Sequence, residues 1–291
     1  MDDPARGRPL TGPGGEVPSE SATTAVPVPD GLDATLVLVR HGESQYIVEG
    51  RFQGQSDTPL TPRGRRQAEL VGRRLATPHA PPPLPLPEGP LREIVHSPLA
   101  RTRETAEGIG RVASRPDIAL PFRADPGFLE IGQGAWEGLH RDEIARRFGA
   151  ELAGWRRAPT RTWAPGGESL ATVAERVRPA LQVVLETLAA GSVPGTLDRN
   201  QVAGYETEAT THPWTIVVGH DGVFKIALLT LFDLPLDRFW MWSMDLGAIT
   251  IVEIRAGRAV LRAHNLTEHL APILDERAAE TQEERSRSGA L

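Results

Sequence analysis

Residues 40–44 of this chain read Arg-His-Gly-Glu-Ser and directly follow residues 35–39, an apolar and partly β-branched run. Such a run is typical of a buried strand. Open α/β sheets bind their ligands at the carboxyl ends of their strands. An arginine and a histidine in that position therefore predict both the class of fold and the location of a ligand site.

The same arrangement occurs twice more along the chain. Residues 91–95 predict a second buried strand, which leads to Arg101, and residues 214–218 predict another, which leads to His220. Together with the first strand, these strands deliver two arginines and two histidines. This is the set of charged side chains that an anionic phosphoryl group requires.

The composition excludes several classes of protein. With 291 residues the chain is long enough for one large α/β domain, although the length also allows two. A net charge of −6, without a basic stripe of interleaved aromatics, argues against a nucleic-acid partner. The absence of cysteine excludes disulfides, thiol catalysis and thiolate metal sites. No apolar run reaches the ~18 residues that span a bilayer, and no signal peptide is recognisable, so we expect a cytoplasmic protein without a membrane partner.

Hydrophobic periodicity divides the chain into tails and one domain. Residues 1–33 are rich in proline, glycine, serine and threonine and predict a disordered tail. The domain is expected at 34–273, and residues 274–291 predict a charged C-terminal tail. Residues 191–211 form a polar stretch longer than usual connections, so we expect a mobile insertion or an active-site flap.

Strands and helices alternate within the predicted domain, which indicates a three-layer α/β/α fold with a mostly parallel sheet. Residues 248–254 and 259–263 predict a terminal hairpin that adds an antiparallel edge. The connector at 78–90 is rich in proline, and we expect it on the surface.

Six blocks of sequence carry a family resemblance. They read R-H-G-E-S at 40–44, R-F-Q-G and D-T-P-L-T-P-R-G within 51–64, S-P-L-A-R-T-R-E-T at 97–105, L-E-I-G and W-E-G within 129–138, P-G-G-E-S at 165–169 and G-H-D-G-V at 219–223. In residues and in order these blocks resemble the histidine phosphatase superfamily, whose fold is phosphoglycerate-mutase-like. The resemblance covers nearly the whole predicted domain.

The resemblance implies a phosphohistidine mechanism. His41 is expected to attack phosphorus, because a neutral imidazole is a competent nucleophile and a covalent intermediate divides one hard displacement into two. Arg40, Arg101 and a protonated His220 are expected to neutralise the phosphate. Arginine suits this role because its planar guanidinium binds two phosphate oxygens at once. No metal or other cofactor is implied, and the sequence shows none of the usual metal-binding patterns.

The leaving alkoxide needs a proton, and the motif match assigns this step to Glu130. Glu137 and Glu168 lie in neighbouring blocks and remain alternatives. Ser44 is expected to reach the phosphate or the substrate. Glu43 either supports the same loop or has a purely structural role.

Two positions depart from the family pattern. Ile47 stands where many members carry an asparagine, so one phosphate contact is missing or replaced. Asp221 stands where glycine is common. Its carboxylate either keeps His220 protonated or caps the helix that follows.

Two reactions share this chemistry, and the sequence favours one of them. Only seven residues separate Arg157 from Pro165, where cofactor-dependent phosphoglycerate mutases have a longer segment that encloses the substrate. We therefore expect a phosphomonoester hydrolase that acts on a small phosphorylated metabolite. The alternatives are a phosphoglycerate mutase and an inactive regulatory or binding module on the same fold. The tryptophans at 155, 163, 240 and 242 are expected to pack or to line a pocket, and homo-oligomerisation is left open.

Overall fold

The computed structural model describes residues 26, 28–113, 120–190 and 210–273. Within these residues, the strands are β1 (Ala34–Arg40), β2 (Leu91–His96), β3 (Phe122–Ala124), β4 (Trp214–Gly219), β5 (Ile249–Arg255) and β6 (Arg258–Leu266). The helices are α1 (Gln45–Val48), α2 (Pro62–Ala76), α3 (Ala100–Ala113), α4 (Arg141–Arg147), α5 (Gly149–Arg157), α6 (Leu170–Ala190) and α7 (Asp221–Leu231). Short 3₁₀ helices occur at Pro126–Phe128, Gly134–Trp136, Leu236–Met241 and Glu268–Leu270.

The strands form one sheet in the order β3-β2-β4-β1-β5-β6. The first four run parallel, and β5 and β6 are antiparallel to their neighbours. The predicted mostly parallel sheet with an antiparallel hairpin at its edge is therefore confirmed. Because β4 lies between β1 and β2, the carboxyl ends of these three strands meet at one edge of the sheet.

Alternating side chains of β1 show why helices cover both faces of this sheet. Leu36 and Leu38 pack into a core that includes α6 and α7. Val37 and Val39 point to the opposite face, into a core that includes α2 and α3. A strand that is apolar on both faces has to be covered on both, so the predicted three-layer arrangement is confirmed.

The helix α2 illustrates how local sequence determines an element. Thr61 is its N-cap and accepts a hydrogen bond from the Gly64 amide at 3.0 Å, while Pro62 occupies the first turn. Both residue types are preferred at these positions because the first turn has unpaired N–H groups.

Some expectations need correction. The proline-rich connector is not purely a surface segment, because Leu84 and Leu86 are buried against the α2–α3 face. The helix α5 had no counterpart in the sequence prediction. Residues 114–119, which precede β3 in the chain, lie outside the described part.

The N-terminal boundary of the domain also shifts. Val26 and Leu32 are buried in the core that contains α6 and α7, and Val28 packs against it. The boundary predicted at residue 33 is therefore too late. Residues 1–25, 191–209 and 274–291, which include most of both predicted tails and of the insertion, lie outside the described residues.

This packing predicts different outcomes for two truncations. A chain that begins at residue 26 is expected to retain the stability of the full-length protein. A chain that begins at Gly31 loses Val26 and Val28, and burying one valine contributes about 1.5–3 kcal/mol. For a loss of that size we expect it to unfold about 3–12 °C lower, given about 2–4 °C per kcal/mol at this size. Thermal melts of both chains test this, and equal melting temperatures would contradict it.

None of the helices in the part of the chain that the structure describes has the length and apolarity to cross a bilayer.

Candidate active site

The candidate site forms where β1, β4 and β2 end side by side. The His41 amide donates to the Gly219 carbonyl at 3.0 Å, and the Ser97 amide donates to the Val218 carbonyl at 3.0 Å. These bonds continue the parallel ladder by one residue on each side of β4. His41, Ser97 and His220 therefore lie together although long stretches of chain separate them.

The His41 side chain has the tautomer of a nucleophile. Its ring is 2% exposed, and Nδ1 lies 2.6 Å from the carbonyl oxygen of Gly42. A carbonyl only accepts, so Nδ1 carries the proton and Nε2 keeps its lone pair. Burial, followed by the positive charges of Arg101 and Arg40, holds the pKa of His41 well below its usual value. The imidazole is therefore neutral at neutral pH.

The second histidine, His220, faces the first. The two ring centroids are 5.1 Å apart and the planes meet at 65°. Arg101 donates from Nε to His220 Nδ1 at 3.2 Å, so the proton of His220 is on Nε2, which donates to Ser97 Oγ at 2.9 Å. Burial and then Arg101 lower the pKa of His220. Burial and the neighbouring cations thus disfavour the protonated form of His220 here, and the protonated His220 expected beside a bound phosphate stays a prediction.

Arg101 is the most completely buried arginine of the site, with no exposed surface. Besides its bond to His220, it donates from Nη1 to the Ser56 carbonyl and from Nη2 to the Gly54 carbonyl, both at 2.8 Å. A guanidinium has five N–H groups, so two remain for a ligand. Burial lowers the pKa of Arg101 to about 10, so it remains charged at neutral pH.

Arg40 supplies a second guanidinium with free donors. Its Nη1 donates to the carbonyl oxygen of Met244. Its Nε is buried and has no hydrogen-bond partner within the described residues. Buried polar groups are normally paired, so this orphaned donor is the position at which a phosphate oxygen is expected.

The loop after His41 is held tightly against α2. A Cβ atom on Gly42 would lie 2.4 Å from the Gly64 carbonyl oxygen, so only glycine fits there. Glu43 accepts from the Thr61 hydroxyl at 2.8 Å, which gives it a supporting role in the loop. The buried Ser44 hydroxyl donates to Gln53 Oε1 at 2.6 Å. The structure thus turns the Ser44 hydroxyl towards the loop at residue 53, and its contact with phosphate or substrate stays a prediction.

Glu130 lies at the N-terminus of α7. One of its carboxylate oxygens accepts from the amides of Ile131 and Val223 at 2.9 and 3.0 Å, and the other accepts from the Gly222 amide at 3.2 Å. Its charge also acts on Arg101. These three hydrogen bonds fix the carboxylate beside Gly222, two residues after His220.

The two alternative acids have other partners. Glu137 accepts from the amides of Gln55 and Gln133 at 3.0 and 2.9 Å and from the Ser56 hydroxyl. It therefore stabilises the loop that also binds Arg101. Glu168 forms an ion pair with Arg176 at 2.8 Å. Burial raises the pKa of Glu168, but the hydrogen bonds from Arg176, the Gly132 amide and Gln55, together with the charge of Arg176, outweigh burial and lower the pKa. Both glutamates are therefore committed to structural partners, and the assignment of Glu130 as the acid stays a prediction.

Arg176 is a functional residue that the sequence analysis missed. It donates to the carbonyls of Gly127 and Leu129 from Nη1 and to that of Glu130 from Nη2, at 2.8–3.0 Å. It is therefore a positioning residue for the segment that carries Glu130. Its place on the buried side of α6 was the available signal, because an arginine there requires acceptors.

The departure at Asp221 has a structural explanation. Its carboxylate binds Lys225, the single lysine of the chain, at 2.6 Å and accepts from the Met244 amide at 3.2 Å. Met244 in turn accepts from Arg40. These contacts match neither of the roles considered for Asp221, which were to keep His220 protonated and to cap the helix that follows. Asp221 instead links α7 to the segment that holds Arg40.

A cavity of about 220 Å³ opens beside Glu130. Its lining combines the aromatic side chains of Phe52, Trp155, Phe239 and Trp240 with the polar side chains of Glu130 and Arg156. The expectation that Trp155 and Trp240 line a pocket is confirmed. Among the residues that the structure describes, no group of three or more histidine, aspartate or glutamate side chains is placed to hold a metal ion.

Comparison with known proteins assigns the family. The model of the histidine phosphatase superfamily, branch 1, matches residues 36–267, which is well over half of the chain. The chain belongs to this superfamily. The matched range begins in β1 and ends just after β6, so it contains every site residue described above.

Among curated proteins, this superfamily member is similar to phosphoserine phosphatase 1 of Hydrogenobacter thermophilus. The two are 27% identical over 238 residues, which cover 81% of this chain and 93% of that protein. It is also 39% identical to a probable phosphoglycerate mutase, GpmB, of Klebsiella pneumoniae, over 161 residues that cover 54% of this chain. The match spans 65% of that relative's own length.

Solved structures of the same superfamily share the fold over most of the chain. Bacillus stearothermophilus YhfR is 29% identical, with a TM-score of 0.62 and coverage of 81% of this chain and 98% of that one. A mycobacterial glucosyl-3-phosphoglycerate phosphatase is 29% identical, with a TM-score of 0.60 and coverage of 80% and 99%.

Proposed function

We propose that this superfamily member hydrolyses phosphomonoesters of small metabolites in two steps, through a phosphoryl group carried by His41 Nε2. The observation that supports this most directly is the bond from His41 Nδ1 to the Gly42 carbonyl. It leaves Nε2 unprotonated, between the charges of Arg40 and Arg101 that act on the ring. A buried, neutral imidazole beside two guanidinium groups suits attack on a phosphate dianion.

In the first step, His41 Nε2 bonds to phosphorus while the bond from phosphorus to the ester oxygen breaks. Glu130 gives its proton to that oxygen, so the product leaves as a neutral alcohol. In the second step Glu130 takes a proton from water, the water oxygen bonds to phosphorus, and the N–P bond breaks. Arg40 and Arg101 bind the phosphoryl oxygens throughout, and the Nε2–H group of His220 transfers its hydrogen bond from Ser97 Oγ to a phosphoryl oxygen.

Hydrolysis is the reaction that the comparisons favour over isomerisation. The relatives named as phosphatases at 27% and 29% identity match this chain over 93–99% of their own length. The relative named as a probable mutase matches over 65% of its length. Phosphatase-named relatives of near-full length also argue against an inactive regulatory module.

The remaining expectations are proposals of the same kind. We place a single phosphatase domain between about residue 26 and residue 273, with the expected insertion or flap at 191–211. The mechanism described above uses no metal or cofactor. A cytoplasmic location and the absence of a nucleic-acid partner stay predictions from composition, and oligomerisation stays open.

Separation of phosphate release from isomerisation tests the proposed function. The protein is supplied with 3-phosphoglycerate and catalytic 2,3-bisphosphoglycerate, and both inorganic phosphate and 2-phosphoglycerate are followed. A panel of metabolite monoesters is assayed in parallel, with and without a chelator. We expect phosphate release from several monoesters that a chelator does not change. Isomerisation much faster than phosphate release would contradict hydrolysis, and no turnover of any ester would favour the inactive module.

A further inference from the structure

We propose that the cavity beside Glu130 is the leaving-group site and that it selects monoesters whose leaving group carries an apolar ring. The inference deepens the proposed function and rests on it. It concerns the part of the substrate that the phosphate-binding residues do not contact.

The position of Glu130 connects the cavity to the reaction. The acid must lie within hydrogen-bond reach of the ester oxygen, so the leaving group begins at Glu130. Glu130 and Gly222 line the cavity directly. The atoms of the leaving group beyond the ester oxygen therefore enter this cavity.

The cavity wall consists largely of three packed aromatic rings. Trp155 comes from α5, and Phe239 and Trp240 come from the 3₁₀ helix at Leu236–Met241. Their ring centroids lie 4.8–5.6 Å apart, at interplanar angles of 56–77°. Rings in such tilted and edge-to-face arrangements present faces and edges against which a further ring packs favourably.

Lys225 fixes this wall in place. Its ammonium lies 5.2 Å from the ring centroid of Phe239 and 5.1 Å from that of Trp240, within the range of cation–π attraction. The same ammonium binds Asp221, and its side chain is 6% exposed. A wall that is held before the substrate arrives needs little ordering on binding, which favours affinity.

The cavity also has polar lining residues, so the selectivity proposed here comes from the aromatic wall and not from an absence of charge. The Asp221 carboxylate is already paired with Lys225, and Arg156 is exposed at the end of α5. The Gln133 side-chain oxygen is buried without a hydrogen-bond partner in the described residues. It is placed to accept one hydrogen bond from a hydroxyl or amino group on the ring-bearing ligand.

Binding of non-hydrolysable phosphonates tests the selectivity without requiring turnover. Isothermal titration calorimetry is used to compare 3-phenylpropylphosphonate with propylphosphonate, which differ only by the ring. We expect the phenyl compound to bind about 10- to 100-fold more tightly, because the ring is removed from water. The kcat/KM ratio of the two corresponding phosphates should show the same preference, since both leaving groups are primary alcohols of similar basicity.

Three variants test whether the aromatic wall causes the preference for the phenyl compound. Trp155→Ala and Trp240→Ala should each reduce the preference for the phenyl compound by about tenfold or more. Trp240 is 46% exposed, so its replacement is compatible with folding. Trp163→Ala is the matched control, because Trp163 is 40% exposed and is not among the residues that line the cavity. It should leave the preference unchanged.

A wild-type binding ratio near one would overturn the proposal, as would an unchanged ratio in both cavity variants. If the phenyl phosphonate binds selectively but neither phosphate is hydrolysed, the leaving-group site stands and the proposed function fails.

Discussion

Replacement of His41 with alanine is expected to stop phosphate release, with a loss of at least about 10⁴-fold in kcat. No other imidazole nitrogen in the site combines an unprotonated state with freedom from a partner. The Nδ1 of His220 accepts from Arg101, and its Nε2 carries the proton that is donated to Ser97. His220 therefore cannot take over without rearrangement.

The His41→Ala protein is expected to fold. The change removes one hydrogen bond to the Gly42 carbonyl and leaves a small gap, at a cost of about 1–3 kcal/mol. Thermal melts check this. Replacement of His79, an exposed histidine in the connector between α2 and β2, is the matched control and should leave phosphate release unchanged.

A trapping experiment identifies the phosphorylated atom. Wild-type protein that is mixed with a radiolabelled monoester and rapidly quenched should hold an acid-labile, base-stable phosphoryl group. Peptide mapping should place the label on His41, and the alanine variant should show none. A label on His220 or on any other residue would refute the assignment.

The second large effect is expected for Glu130→Gln and should depend on the leaving group. Alkyl phosphates release a strongly basic alkoxide, so loss of the proton donor should lower their kcat by about 10²–10⁴-fold. The leaving group of p-nitrophenyl phosphate needs little protonation, and its kcat should fall by less than about tenfold. The glutamine oxygen can still accept from the amides of Ile131 and Val223, so the variant loses only the longer hydrogen bond from the Gly222 amide at 3.2 Å.

Glu137→Gln and Glu168→Gln are the controls for this experiment. Both glutamates are bound to structural partners, so their replacement should lower stability and affect alkyl and aryl esters alike. Equal losses on the two esters in Glu130→Gln would instead show that Glu130 binds substrate. A selective loss in Glu137→Gln or Glu168→Gln would transfer the role of the acid to that residue.

The sequence predicted the fold well because the relevant signals are local. An apolar strand, a proline at a helix start and an alternation of strands with helices are each visible within a short window. The same holds for the strand-end motifs, which explains why His41, Arg101 and His220 were recognisable as members of one site. The packing of Val26 was missed, because a short apolar stretch without a period gives no indication of what it will bury against.

The details of the site depended on contacts between distant residues. Arg176 binds the carbonyl of Glu130 across 46 positions, and Gln55 binds the same carbonyl across 75. Neither pairing has a sequence signal, because hydrogen-bond partners are determined by where the chain returns. The structural partners of Glu137 and Glu168 likewise became visible only in the tertiary structure, whereas the assignment of Glu130 as the acid rests on the motif match.

The sequence by itself determined the family, the layered fold and the strand-end residues to which the chemistry is assigned, because each of these depends on local pattern and motif order. Only the tertiary structure decided the protonation states of His41 and His220, since these follow from burial and from donors on other elements. It alone also joined Asp221, Lys225, Phe239 and Trp240 into the wall of a cavity. Aromatic packing and charge pairing of this kind arise when separate helices come together, and no one segment encodes them.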